Sequence, residues 1–138
     1  MATFNKFNSF VEALAEKAHD LGSDTLTVAL TAAANAPVAT NTVLANLTEA
    51  TYTNCSTRVI TTASSSQTSG TYKLVLTDLT LTAGGGSVGP FQYIVIYNDT
   101  ATSDELICWF DYGSDLTLAD GESLLIDFSA ANGVLQIV

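Results

Sequence analysis

The sequence predicts a mainly β protein, a β-sandwich or barrel of jelly-roll-like type with one amphipathic helix at its N-terminus. Short stretches of alternating apolar and polar residues recur along most of the chain, and turn signals containing Gly or Asn separate them. Only 13% of the residues are charged, against about 25% in ordinary soluble domains, so Thr, Ser and Asn must supply the polar surface. With 138 residues, the chain fits a single domain over residues 1–138.

The N-terminal segment has the periodicity of an amphipathic helix, which we predict over about residues 4–21. Its apolar positions are spaced by four and three residues, on one helical face: Phe7, Val11, Leu14, Ala18 and Leu21. Ser9 and Glu12 have the spacing of a capping box, so the regular helix is expected to begin near Ser9. Gly22 is a natural stop.

A helix with one apolar face needs an apolar partner, either its own sheet or a neighbouring subunit. The candidate interaction surface is therefore formed by Phe4, Phe7, Phe10, Val11 and Leu14. Replacement of Leu14 by Asp is expected to damage folding or assembly, because it places a charge in an apolar contact.

The β-rich body is predicted over about residues 25–138. Residues 26–31 alternate between apolar and polar as a strand does, and a loop follows at 35–41. Residues 42–51 are ambiguous, and a short helical turn fits Val43, Leu44 and Leu47. We expect a strand over 58–62 and a polar, flexible loop over 63–70.

In the second half of the chain, the alternation changes parity at Asp78, which predicts a bulge or bend there. Residues 91–97 and 106–112 are apolar on nearly every position, which is typical of strands that are covered on both faces. Further strands are expected at 116–118, 124–128 and 134–138. Asp120-Gly121 and Asn132-Gly133 are hairpin turn signals.

The charge balance excludes some classes of partner. Acidic residues number 14 against 4 Lys plus Arg, giving a net charge of -10. Nucleic acid and anionic membranes both require a basic surface, so we expect neither as a partner. The N-terminus lacks the pattern of a signal peptide, and no window has the apolar length of a membrane span. Cys55 and Cys108 are therefore expected to be reduced thiols.

Residues with catalytic potential are few, and none has a specific spacing. His19 is the only histidine, and we interpret it as structural, near the C-terminal end of the predicted helix. One His and two distant Cys do not make a zinc site. We therefore predict no enzymatic activity, no catalytic or metal-binding residues, and no cofactor.

Two further hypotheses concern clustered side chains. The acidic cluster comprises Asp99, Asp104, Glu105, Asp111, Asp115, Asp120 and Glu122. It could supply a pair of glycosidase carboxylates or hold calcium, but solvated turn formers are the favoured interpretation. A platform for sugar binding could be built from Trp109 with Phe91, Tyr93, Tyr97, Phe110 and Tyr112. At strand spacing such aromatic residues are more often core.

Two long stretches carry a resemblance to a known group of proteins. Residues 22–49 read GSDTLTVALTAAANAPVATNTVLANLTE, and residues 89–137 read GPFQYIVIYNDTATSDELICWFDYGSDLTLADGESLLIDFSAANGVLQI. Both resemble small virion proteins of tailed bacteriophages, in which a short amphipathic helix precedes a strand and a loop like residues 36–41. The resemblance is less clear over residues 52–70, and it brings no active-site residues with it.

The resemblance implies a small structural subunit, above all a capsid decoration (cement) protein. Such a protein would bind the major capsid protein on the outside of the head, as a homo-oligomer in which a trimer is favoured. It would be assembled into the virion in the cytoplasm of the bacterial host. Two alternatives remain open: a tail, neck or fibre-associated virion subunit, and a carbohydrate-binding β-sandwich module.

Overall fold

The computed structural model describes residues 2–138, which form ten strands and one α-helix. In chain order they are β1 (Thr3–Lys6), α1 (Ser9–Ala15), β2 (Leu26–Thr31), β3 (Val59–Ile60), β4 (Thr62–Thr68), β5 (Thr71–Leu76), β6 (Leu79–Thr82), β7 (Val88–Asn98), β8 (Leu106–Leu118), β9 (Ser123–Ile126) and β10 (Leu135–Ile137). Single 3-10 turns lie at Ala33–Asn35 and Leu44–Asn46, the second within the segment where a helical turn was an option.

The predicted mainly β class is confirmed. The main sheet has five strands in the order β1-β8-β7-β2-β3, and all of its neighbouring strands are antiparallel. A three-stranded sheet, β10-β5-β4, and a two-stranded sheet, β6-β9, lie against one face of the main sheet. The layers therefore pack in a sandwich-like arrangement, with the apolar residues of both layers turned inward.

The core lies on both faces of the main sheet. One cluster fills the space between the layers and joins residues such as Val28 and Ile96 to Leu74 and Leu81 of the smaller sheets. A second cluster covers the opposite face under the loop before β3; its buried members are Phe7, Ala29, Val95, Tyr97, Leu106 and Trp109. Burial on both sides explains why β7 is apolar at both odd and even positions, as predicted.

The predicted helix over residues 4–21 is wrong in extent. Residues 3–6 form β1, in which Phe4 lies opposite Phe110, and the helix occupies only Ser9–Ala15. Pairing with β8 gives β1 backbone hydrogen bonds that outweigh a local helical preference. The helix does begin at Ser9, but Asn8 is its N-cap, and no side chain caps it. It ends at Ala15, well before Gly22, and just beyond this end Lys17 adopts a left-handed conformation with φ 68°.

Three predictions in the body also need correction. The flexible loop expected at 63–70 is β4, an exposed edge strand paired with β5. Its side chains face solvent, so hydrophobic alternation cannot reveal it. Asp120-Gly121 and Asn132-Gly133 lie in turns but not in hairpins, because the strands on either side belong to different sheets. The strand expected at 116–118 is the continuation of β8.

Other predictions agree with the structure. The strand is interrupted at Asp78, which lies between β5 and β6, and these two strands belong to different sheets. Cys55 and Cys108 are both free thiols. Cys108 is buried in the core between the layers, and this burial raises the pKa of its thiol. Cys55 is partly buried, and desolvation raises the pKa of its thiol as well, so neither cysteine has the exposed, easily ionised thiol that nucleophilic chemistry requires.

The two edges of the main sheet differ. On the β2 edge, beyond the short β3, the hydroxyl of Tyr52 accepts from the Leu30 N–H at 2.9 Å, and the Leu30 carbonyl accepts from the Ala50 N–H at 2.7 Å. Arg58 completes this cover: its carbonyl accepts from the Val28 N–H at 2.9 Å, and its guanidinium donates to the Val28 carbonyl. At the other end of the sheet, β1 pairs only with β8 in the described part of the chain.

Candidate interaction surface

The structure brings four of the five predicted surface residues together. Phe4, Phe10, Val11 and Leu14 line one groove of about 750 Å³. Phe4 and Val11 are 44% and 52% exposed, Leu14 is partly buried, and Phe10 is the buried floor of the groove. These residues form an accessible apolar surface, although β1 and α1 supply them rather than one helix.

Phe7 does not belong to this surface, so that part of the prediction is wrong. Its side chain is 0% exposed and lies in the cluster on the opposite face of the main sheet. The ring packs against Trp109 with 4.5 Å between centroids. Because the chain turns between β1 and α1 instead of forming one continuous helix, Phe7 points away from Val11 and Leu14.

The C-terminal segment forms the second wall of the groove. Residues 132–138, including β10, face Phe4 and Val11 across it. The sequence predicted a strand here, and β10 pairs with β5 through Leu135 and Leu74. What the sequence could not reveal is that this pairing across 61 positions places β10 at the edge of its sheet, next to β1.

A second, smaller depression of about 140 Å³ lies next to the groove. It is lined by Ala2, Tyr112, Leu125 and Asp127, among others. A row of aromatic rings links the two hollows: Phe110 lies 5.6 Å from Phe4 and 6.5 Å from Phe128, measured between ring centroids. We call the groove and the depression together the open side, because here the interior of the sandwich is not closed by a strand.

Most of the exposed apolar surface lies on the open side. Of eight large apolar side chains that are exposed in the described residues, four line the groove and two line the depression: Phe4, Val11, Ile137 and Val138, then Tyr112 and Leu125. The other two, Val38 and Val59, lie elsewhere. Contiguous apolar surface of this kind marks sites of contact with other proteins.

The open side also differs from the rest of the molecule in charge. The chain carries a net charge of -10, yet the groove is lined by no carboxylate side chain. Among residues 2–138, Lys6 is the only charged side chain that lines the groove, and Asp127 is the only one that lines the depression. Carboxylate side chains therefore oppose the approach of a partner less on this side than on the rest of the acidic surface.

The aromatic platform is not formed. Trp109, Phe91 and Tyr97 are buried, and Trp109 faces Phe7 in the core. Tyr93 and Phe110 are partly buried against the two clusters, and only Tyr112 of the six is exposed. A sugar ring needs several exposed aromatic faces on one surface, and these residues do not provide them.

The residues of the acidic cluster are dispersed over β8 and the loops around it. Asp115 accepts from the Ala33 N–H at 2.8 Å, Asp120 from the Gly85 N–H at 2.8 Å, and Asp111 from the Gly113 N–H at 2.7 Å. Asp120 lies in a turn, which agrees with the interpretation as a turn former, but Asp111 and Asp115 lie within β8, so that interpretation is wrong for these two. Over residues 2–138, no group of three or more His, Cys, Asp or Glu side chains has an arrangement suited to a metal ion.

His19 is buried, and it lies beyond the end of the helix rather than at its last turn. Its Nδ1 lies 3.0 Å from the Nδ2 of Asn98, which itself donates to Asp24 at 2.6 Å. Nδ1 is therefore the acceptor, and the proton resides on Nε2, which has no partner within the described residues. Burial lowers the pKa of His19, while the nearby carboxylates of Glu105 and Asp24 act in the opposite direction.

This lowered pKa predicts a stability that falls in weak acid. The unfolded chain binds a proton on His19 near pH 6.5, whereas the folded chain resists it, so the free energy of unfolding decreases as the pH falls below about 6.5. The slope from this group is at most about 1.4 kcal/mol per pH unit. Urea unfolding between pH 5 and 7 should show a flatter profile for His19→Asn than for the wild type. Parallel profiles would contradict this account of His19.

No helix in the described part of the chain combines the length and apolarity required to cross a bilayer. No family model, no curated protein and no solved structure matches this chain. Function is therefore inferred from the open side, the distribution of charge and the sequence stretches described above.

Proposed function

We propose that the protein is a non-enzymatic structural subunit of a tailed-bacteriophage virion, acting as a capsid decoration protein on the outside of the head. The observation that carries the proposal is the open side, an apolar surface next to an unpaired strand edge. The resemblance of residues 22–49 and 89–137 to small virion proteins supplies the biological setting. Binding alone is the mechanism.

The physical requirement for such a role is a contact that forms only when subunits meet. A decoration protein stabilises a lattice because it binds the assembled form in preference to the dissociated one. The open side supplies the necessary apolar area, with Phe4, Val11 and Leu125 exposed on it. The core on both faces of the main sheet supplies a rigid support for that surface.

The charge of the chain fits the same role. A net charge of -10 keeps free copies soluble and repels packaged DNA. Because no carboxylate side chain of the described residues lines the groove, the acidic surface opposes contact through the open side only weakly. The partners in this proposal are the major capsid protein and further copies of the chain.

Co-sedimentation with purified heads of the phage that encodes the chain tests the proposal. We expect saturable binding that favours expanded over unexpanded heads. Val11→Asp should weaken this binding about tenfold or more, because it places a charge in an apolar contact. Val38→Asp is the matched control, since Val38 and Val11 are both 52% exposed and only Val11 lies on the open side.

Absence of binding to either form of head would contradict the decoration role. A tail, neck or fibre-associated subunit would then be the next candidate, because the open side would serve assembly there equally well. Equal loss of binding in Val11→Asp and Val38→Asp would show that the open side is not the surface used.

A further inference from the structure

We propose that two copies of the chain pair through their β1 strands, antiparallel about a twofold axis, so that each copy covers the open side of the other. This inference rests on the proposed use of the open side in assembly, and it names the occupant of that surface. Three features carry it: the unpaired edge of β1, the position of the two hollows along β1, and the one charged side chain that lines each hollow among the described residues.

The first feature is the contrast between the edges of the main sheet. Tyr52, Ala50 and Arg58 satisfy the backbone of β2 at one edge. At the other edge, one side-chain hydrogen bond reaches the β1 backbone within residues 2–138: Asn5 Nδ2 donates to the Thr3 carbonyl at 3.1 Å, exposed to solvent. An open strand edge is a template for another strand, and a partner N–H can replace this weak bond.

The second feature is self-complementarity along β1. The groove lies at the Lys6 end of the strand, and the depression lies at the Ala2 end. In an antiparallel pair, the Lys6 end of one β1 lies beside the Ala2 end of the other. Each groove therefore meets the partner's depression, as a twofold interface requires, and exposed Leu125 and Tyr112 of one copy approach the groove of the other.

The third feature is charge. Lys6 in the groove and Asp127 in the depression are exposed, and neither forms an ion pair in the described residues, where Arg58 and Glu49 form the only one. The twofold pairing places each Lys6 against the partner's Asp127. With a net charge of -10, most other ways of joining two copies would bring carboxylates together.

Charge reversal with rescue tests this arrangement. Sedimentation equilibrium of the full chain should give a wild-type mass that approaches twice 14.4 kDa as the concentration rises. Lys6→Glu and Asp127→Lys should each weaken association about tenfold or more, since every dimer contains two such pairs. The double variant should restore association to near the wild-type level. Circular dichroism should show that all three variants remain folded, because both side chains are exposed.

Several results would overturn the inference: a wild-type monomer at every concentration, association that Lys6→Glu leaves unchanged, or a double variant no stronger than the singles. A wild-type mass of three chains would favour the threefold arrangement and would likewise overturn it. The outcome is separable from the proposed function. A monomer that binds heads refutes the pairing alone, and a twofold dimer that binds no heads refutes the decoration role alone.

Discussion

Phe7→Ala is expected to lower the free energy of unfolding by about 3–5 kcal/mol, the range for removing a large buried aromatic side chain. Phe7 is fully buried between the main sheet and the loop that covers it, and its ring lies 4.5 Å from that of Trp109. The loop is held over the sheet partly by the Asn8 N–H, which donates to the Ala39 carbonyl at 2.9 Å. A cavity at Phe7 would therefore loosen the cover as well as remove apolar contact.

Urea unfolding measures this effect, and Phe4→Ala is the matched control. Phe4 is three positions away but exposed on the open side, so its replacement should cost less than about 1.5 kcal/mol. In an association assay the order of the two variants should be reversed. Phe4→Ala should weaken self-association, whereas Phe7→Ala should leave it unchanged as long as the chain is folded. Equal stability costs at the two positions would contradict the assignment of Phe7 to the core.

Arg58→Ala is expected to lower the free energy of unfolding by about 2–4 kcal/mol. The guanidinium lies 3.6 Å from the centroid of the Tyr52 ring and donates to the Val28 carbonyl. Its ion pair with Glu49, at 3.9 Å, adds little because both side chains are partly exposed. Loss of Arg58 leaves the Val28 carbonyl without this donor and releases the ring of Tyr52.

Two further variants test whether the stability cost of Arg58→Ala comes from its contacts at this edge of the sheet. Tyr52→Phe removes the acceptor of the Leu30 N–H and should cost about 1–3 kcal/mol. Lys73→Ala is the control for loss of a cation at the surface, since Lys73 donates only to the Ala131 carbonyl in an exposed position, and it should cost under about 1 kcal/mol. An Arg58→Ala variant as stable as Lys73→Ala would show that this edge of the sheet does not depend on Arg58.

Sequence patterns predicted the strands that bury one or both faces, because burial is what creates the patterns. β7 is apolar at nearly every position since the core covers it on both sides, and the break at Asp78 follows a change of parity. Sequence patterns did not predict strands that are formed only through pairing with distant residues. β4 is polar and exposed, and only its pairing with β5 makes it a strand.

The candidate surface was predicted in part for the same reason. Helical spacing placed Val11 and Leu14 on one face with Phe10 at its edge, and these three residues of α1 line the groove. It also assigned Phe7 to that face, because the sequence gives no sign that the chain turns after Lys6. The C-terminal wall and the depression at Leu125 depend on which strands end each sheet, and no local pattern encodes that order.

Electron cryo-microscopy of heads saturated with the protein tests the central claim most directly, since it locates the subunit and shows which surface is covered. The predicted result is density for the chain on the outer surface of the head, with Phe4, Val11 and Leu125 covered by a neighbouring subunit. Density confined to the tail or neck would contradict the decoration role. Subunits on the head with the open side facing solvent would contradict the assignment of the interaction surface.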